Sequence, residues 1–308
     1  MRRARAITRC IACAGMWLSA CGDSITYGGS LAAGSDGGAM SSSFASRSYY
    51  ARCVVDGGSA AAAPVDPEAY ERLLARHVRV AEDGSARVNY RAWAASDADL
   101  RSLDSYLEGV GSARPGACDL AFWINAYNAI VLRGVLEHFQ EAPSFSVADD
   151  DFAFFTRDRH SVASESLSLD ELEHGVLRGD WQHPSLRGSP VLERMMALHA
   201  ELWQGEAVDA RVHMALNCAA LGCPNLRDSA YRRDGLDAQL ADATRRFLAD
   251  ADRGAGPRGV SRLFEWFRED FVRDAGSVAV FIEGYRENGL EDVELGRFVE
   301  YDWALNGP

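Results

Sequence analysis

Apolar positions recur at helical spacing along most of the chain after residue 64. Asp66-Pro67-Glu68 supplies a cap, a first-turn proline and a first-turn acid, and Tyr70, Leu73, Leu74 and Val78 then fall on one face, which predicts a helix. Ser96, with Asp99 three residues on, opens a second helix that presents Leu100, Leu103, Leu107 and Val110. A third, roughly 119–139, is the most apolar stretch of the chain, which makes Asn125 and Asn128 conspicuous. Ser168 and Glu171 make a capping box for a helix running to Arg178, and Leu236, Leu240, Ala243, Phe247 and Leu248 mark a further helical stripe. Residues 152–155 and 161–163 flank the polar Arg157-Asp158-Arg159 and predict a hairpin; 212–216 reads as a strand and 298–305 as an extended end. Together these predict an α+β fold, a mainly helical single domain with a small antiparallel sheet built from the hairpin, the strand carrying His213 and the C-terminal strand.

The amino-terminal residues follow a different pattern. Arg2, Arg3, Arg5 and Arg9 precede a short apolar run that ends in Leu18-Ser19-Ala20-Cys21, the order of a signal peptide with a bacterial lipobox. The apolar run is too short to span about 30 Å of hydrocarbon, and no run of about 18 apolar residues occurs elsewhere, so no transmembrane helix is predicted. Residues 1–20 are therefore read as a lipoprotein signal peptide, with cleavage before Cys21 and lipidation of its thiol. Asp does not directly follow Cys21, which under the enteric sorting rule directs the protein to the outer membrane, facing the periplasm. Residues 21–64 are rich in Gly, Ser and Ala and read as a flexible tether, with a patch around Tyr49 and Cys53 that docks on the body; 65–308 is the globular domain.

Composition narrows the function. The chain has 308 residues and a net charge of -13, and loss of four arginines with the leader makes the mature form still more acidic, which disfavours a nucleic-acid partner. The expected partners are the membrane, through the lipid anchor, and a cell-wall or protein ligand. No cofactor is expected.

Three segments concentrate reactive residue types. Ala121-Phe122-Trp123-Ile124-Asn125-Ala126-Tyr127-Asn128 is one, the stretch from Leu169 to Arg178 is the second, and Arg211-Val212-His213-Met214-Ala215-Leu216-Asn217-Cys218 continuing to Gly222-Cys223-Pro224-Asn225-Leu226 is the third. With Leu263-Phe264-Glu265-Trp266-Phe267, Phe271 and Tyr301-Asp302-Trp303 further on, they resemble bacterial members of the domain-of-unknown-function 547 family. The resemblance implies a domain and an envelope setting, and no reaction.

The chemistry rests on the residues themselves. His213 is a base able to turn Cys218 or Cys223 into a thiolate, with Asn125 or Glu173 orienting the imidazole, which is the arrangement of a thiol-dependent hydrolase or transferase acting on peptide or amide bonds. Asn128, His174 and Arg178 are candidate binding residues: Asn125 and Asn128 share a helix face, and Asp170, His174 and Arg178 follow at four-residue spacing. Each has a structural alternative, namely amides that satisfy loop backbone and a solvated salt-bridged face. The mature chain keeps Cys53, Cys118, Cys218 and Cys223, an even set for an oxidising compartment, so a Cys218 to Cys223 disulfide closing a loop in a non-enzymatic binding module is an equal reading. Zinc held by His213, Cys218, Cys223 and a fourth ligand such as His174 or Glu173 ranks third, because the spacings do not match common sites.

Overall fold

The computed structural model describes Tyr49, Cys53 and residues 63–308 other than 82–83 and 142–144. The segment expected as the leader, Cys21 and most of the segment expected as the tether lie outside the described residues.

Helix α1, Glu68–His77, begins where the Asp66 carboxylate accepts the Glu68 amide at 3.0 Å. A short ladder of β1 (Val78–Val80) and β2 (Ala86–Val88) leads into α2, Tyr90–Ala94. Ser96 then caps α3, Asp97–Ser112, by accepting the Asp99 amide, as its sequence predicts. Helix α4, Leu120–Glu141, packs against α2 and α3, and burial on nearly all sides explains why it is apolar all round.

The predicted hairpin forms with a different register. Residues 152–155 belong to α5, Asp149–Thr156, and the pairing is between β3 (His160–Val162) and β4 (Glu165–Leu167). Ala163 and Ser164 turn the chain with φ of 52° and 65°, and their amides donate to the Val110 and Gly111 carbonyls of α3. Tertiary hydrogen bonds thus fix a turn that its residue types would not select.

The Ser168 and Glu171 capping box is present, with Ser168 N to Glu171 Oε2 at 3.0 Å and Glu171 N to Ser168 Oγ at 3.1 Å. What it starts is a π-helix, Glu171–Leu177, with all seven residues buried. Helix α6, Leu192–Trp203, covers it, and the Met195 sulfur lies where a Cβ on Gly175 would stand, 2.6 Å away.

The segment expected as the His213 strand is a 3₁₀-helix, Ala210–Met214. Asp209 caps it, accepting the Arg211 amide at 2.9 Å, and this local competitor overrides the apolar alternation of Val212, Met214 and Leu216. Helix α7, Leu236–Ala249, packs against it. After a ladder of β5 (Ala255–Gly256) and β6 (Gly259–Val260), helices α8 (Leu263–Trp266), α9 (Arg268–Ala275) and α10 (Val278–Tyr285) follow. The C-terminal segment is extended but forms only isolated bridges, Ala220 with Leu305 and Val260 with Phe298. The fold is mainly helical α+β; in place of one small sheet, the described residues hold three separate antiparallel ladders. No helix among them is long and apolar enough to cross a membrane.

Two apolar clusters make the core. The larger surrounds α4; the smaller joins Met214, Phe247, Phe264, Phe271 and Phe281, and Tyr301 packs against both. Tyr49, 1% exposed, belongs to the larger cluster, and Cys53 is bonded to Cys118 in a disulfide, so these two residues of the expected docking patch do sit on the body.

Candidate active site

A cleft of about 460 Å³, counting its open mouth, lies where the two clusters meet. Tyr127 of α4, Glu173 of the π-helix, His213 of the 3₁₀-helix, Cys218, Cys223, and the aromatic Trp266, Tyr301 and Trp303 line it. The structure therefore brings together His213, Cys218, Cys223 and Glu173 from segments far apart in sequence.

Cys218 begins a loop that side-chain amides hold in place. Asn128 donates to the Ala215 carbonyl at 2.9 Å and accepts the Asn217 amide at 2.8 Å. Asn217 donates to the Pro224 carbonyl at 2.7 Å and accepts the Ala219 amide at 3.0 Å, while Asn306 donates to Asn217 Oδ1 at 3.1 Å. The Asn306 amide also holds the Ala219 carbonyl at 2.8 Å. Ala219 has φ of 68°, a left-handed conformation that costs a non-glycine residue about 1–3 kcal/mol. Its neighbours over-determine that strained turn, and it follows directly on the reactive cysteine.

Cys218 and Cys223 are both free thiols, so the expected bridge between them is replaced by Cys53 to Cys118. The Cys218 amide donates to the Cys223 sulfur at 2.9 Å, and the Cys218 sulfur is 3.3 Å from the Tyr301 hydroxyl. Burial pushes the Cys218 thiol up, but hydrogen bonds from Cys223, Tyr301 and the Ala220 amide outweigh it and hold the thiol below its ordinary value. Burial, reinforced by Cys218, pushes Cys223 well up. The two sulfurs are thus unequal: the Cys218 thiol is held below its ordinary value and the Cys223 thiol above it.

The imidazole is organised separately. His213 Nε2 lies 2.9 Å from Asp270 Oδ2, and the ring stacks on Phe267 with centroids 4.0 Å apart. Its Nδ1 is buried with no hydrogen-bond partner among the described residues, so the expected imidazole to thiol hydrogen bond is not formed. With Nε2–H donated to the Asp270 carboxylate, the Nδ1 lone pair is the free base. Asp270 also accepts Arg178 Nε at 2.7 Å and Arg273 at 3.1 Å. Burial would raise this carboxyl, but the His213 hydrogen bond and the charges of His213 and Arg178 hold it well below the usual carboxylate range. Burial lowers His213, and Asp270 offsets only part of that, so the ring favours its neutral form.

Two orienting roles expected from sequence are corrected by this geometry. Asn125 exchanges two hydrogen bonds with the backbone of Tyr231, at 2.7 and 2.9 Å, because an amide inside an apolar helix must find a partner, and it orients no imidazole. Glu173 hydrogen-bonds Tyr127 and faces the cleft; burial raises its carboxyl, with Tyr127 and then Arg178 opposing. Asp270 is the orienter. Asn128 anchors the cysteine loop. His174 and Arg178, 1% and 7% exposed, form no solvated face; Arg178 donates to His174 Nδ1 at 2.6 Å.

The residues expected for zinc, His213, Cys218 and Cys223, are not gathered around one point among the described residues, whereas donor atoms of Asp170, His174 and His183 lie within 4.8 Å of one another. These three do not fit a metal. Arg178 donates to His174 Nδ1, which places the neutral ring's proton on Nε2 and leaves that nitrogen no lone pair. The guanidinium also opposes a second cation there.

A mainly helical α+β protein with a thiol and an Asp-held imidazole on one cleft is the class that fold and site define. Residues 116–248 match the sequence profile described as "Protein of unknown function, DUF547", in line with the resemblance noted in the sequence. No curated protein and no solved structure matches the chain. The profile ends before Asp270 and Tyr301, so two residues that set the cleft's chemistry come from outside the matched region. Sequence reading missed both as site members. The available signal for Asp270 was an acid three residues from Phe267 and adjacent to Phe271, on the apolar side of α9.

Proposed function

We propose that this protein is a thiol-dependent hydrolase or transferase acting on amide bonds in the bacterial cell envelope. The observation that carries the reading is Cys218: three hydrogen-bond donors surround its sulfur, and it opens on the same cleft as His213, whose free Nδ1 is held in place by Asp270. In the proposed reaction the Cys218 thiolate adds to an amide carbonyl carbon, the new C–S bond replaces the C–N bond, and the amine departs with a proton. Glu173, in the protonated form that burial favours, can supply that proton. Water, or an acceptor amine in a transfer, then gives a proton to His213 Nδ1 and attacks the thioester, which returns the thiolate. The leader, lipobox and tether support an outer-membrane lipoprotein anchored through Cys21 and facing the periplasm, where a cell-wall peptide is the fitting substrate.

The test is thiol mapping of protein purified without reductant. Mildly acidic iodoacetamide is expected to label Cys218 and spare Cys223, and Cys218→Ser to remove turnover of cell-wall peptides while the fold persists. A Cys218 that labels only at the pH of an ordinary thiol would overturn the proposal, as would unchanged peptide turnover in Cys218→Ser.

A further inference from the structure

In the acyl-transfer scheme Cys223 only donates a hydrogen bond to the Cys218 sulfur and makes or breaks no bond, yet it is one of the best-placed groups in the cleft. The Cys218 amide points at its sulfur at 2.9 Å, the two thiols are hydrogen-bonded, and four residues separate them. Neither is engaged in the disulfide, which joins Cys53 to Cys118. Both line the cleft, Cys218 half-buried and Cys223 buried.

We infer that Cys218 and Cys223 form a reversible dithiol–disulfide couple that reduces a small hydroperoxide, with Cys218 the peroxidatic and Cys223 the resolving thiol. The Cys218 thiolate attacks the distal oxygen of the peroxide, the O–O bond breaks, and the leaving oxygen takes a proton to give water or an alcohol, which leaves Cys218 as a sulfenic acid. The Cys223 thiol then attacks the Cys218 sulfur; the S–S bond forms, the S–O bond breaks, and the hydroxyl departs with the Cys223 proton as water. Two electrons leave the protein and two enter the peroxide, and an external dithiol restores the couple. Accessibility orders the steps, because Cys218 is half-buried and Cys223 is buried. The strained turn at Ala219 and the amide clamps keep the two sulfurs adjacent throughout. The couple does not depend on any attack by Cys218 on a carbonyl, so acyl transfer and peroxide reduction stand or fall separately.

The experiment uses the full mature chain with Cys218 and Cys223 as free thiols and the Cys53 to Cys118 bridge intact, treated with one equivalent of hydrogen peroxide and mapped by non-reducing peptide mass spectrometry. The expected product is a Cys218 to Cys223 disulfide, reversed by dithiothreitol, with Cys53 to Cys118 unaffected. In Cys223→Ser, dimedone should trap a sulfenic acid at Cys218, and excess peroxide should carry that residue on to the sulfinic acid. Because that variant removes a buried thiol and can unfold, near-UV circular dichroism checks it, and the wild-type map decides the matter alone. Oxidation of wild-type Cys218 to the sulfinic acid without a bridge, or thiols that resist peroxide while iodoacetamide labels Cys218, would overturn the couple. The second outcome would leave the acyl-transfer proposal standing.

Discussion

The two walls of the cleft are built from different materials. The cysteine wall is a loop without regular structure, held mainly by the neutral amides of Asn128, Asn217 and Asn306, with one charged contact, Arg253 donating to the Leu221 and Cys223 carbonyls at 3.0 and 3.1 Å. The histidine wall joins the π-helix, the 3₁₀-helix and α9 through buried charge: Asp270 at the centre, with Arg178, His213 and Arg273 around it. Neutral amides fix position without tying it to pH or to salt. Buried charges fix protonation, and they make the wall depend on each partner being present. Under the proposed function, position matters most for the nucleophile and protonation for the base, and each wall is made of what its residue would require.

The sharpest way to break this contrast is to remove the charge at the centre. Asp270→Ala takes from buried Arg178 its nearer counter-ion and leaves only Asp180, at 3.3 Å, and a loss of about 3 kcal/mol is expected in urea unfolding. Asn128→Ala strands the Ala215 carbonyl and the Asn217 amide in the core, and about 2–4 kcal/mol should be lost in the same assay. The loss should be insensitive to pH between 5 and 8 and should come with slower alkylation of Cys218. Asn125→Ala clamps nothing near the cysteines, so it should cost stability without changing that alkylation rate.

Protonation separates the walls more finely. Burial, then the charge of Glu173, pushes the Asp170 carboxyl up to about 7, so the folded state keeps a proton that the unfolded chain releases near its ordinary value of about 3.9. Its contribution to stability is therefore lost as pH rises from about 4 to 7. Burial lowers His183 to about 4 and also lowers His174 and His213, and these rings act oppositely: the unfolded chain takes up their protons below about 6.5, so stability falls as pH drops from there. Asp170→Asn removes the first effect only. Thermal melts should show a gain of about 2 kcal/mol at pH 8 and a steeper rise of stability between pH 4 and 7. The smallest expected change is in Tyr301→Phe, which keeps the ring packing on Trp303 and Trp266 but removes one donor from the Cys218 sulfur. The midpoint of the alkylation pH profile should move up by about half to one unit.

What the sequence disclosed also divides along these walls. Asn125 and Asn128 announce themselves as amides inside an apolar helix, and the capping box at Ser168 and Glu171 is local enough to read directly. His213, Cys218, Cys223 and Glu173 were legible as residue types with chemistry, and they do line one cleft. Asp270 was not, because its value lies in a contact across 57 residues of sequence and an acid on a short helix reads as surface. The turn at Ala163 and Ser164 and the 3₁₀-helix at His213 failed for a related reason. Each is chosen by hydrogen bonds, from α3 in one case and Asp209 in the other, which compete with the apolar pattern and are invisible to it.

The disulfide between Cys53 and Cys118 also decides how the molecule bears load. A pull from the amino-terminal side crosses the sulfur bridge and enters the body two residues before α4, its central helix. Tension bypasses the 65-residue span that the bridge closes, so α1, α2 and α3 are mechanically shielded. Reduction would move the point of loading to α1 and add the ten residues from 53 to 63, about 35 Å at full extension, to the path between the body and any point of attachment on that side.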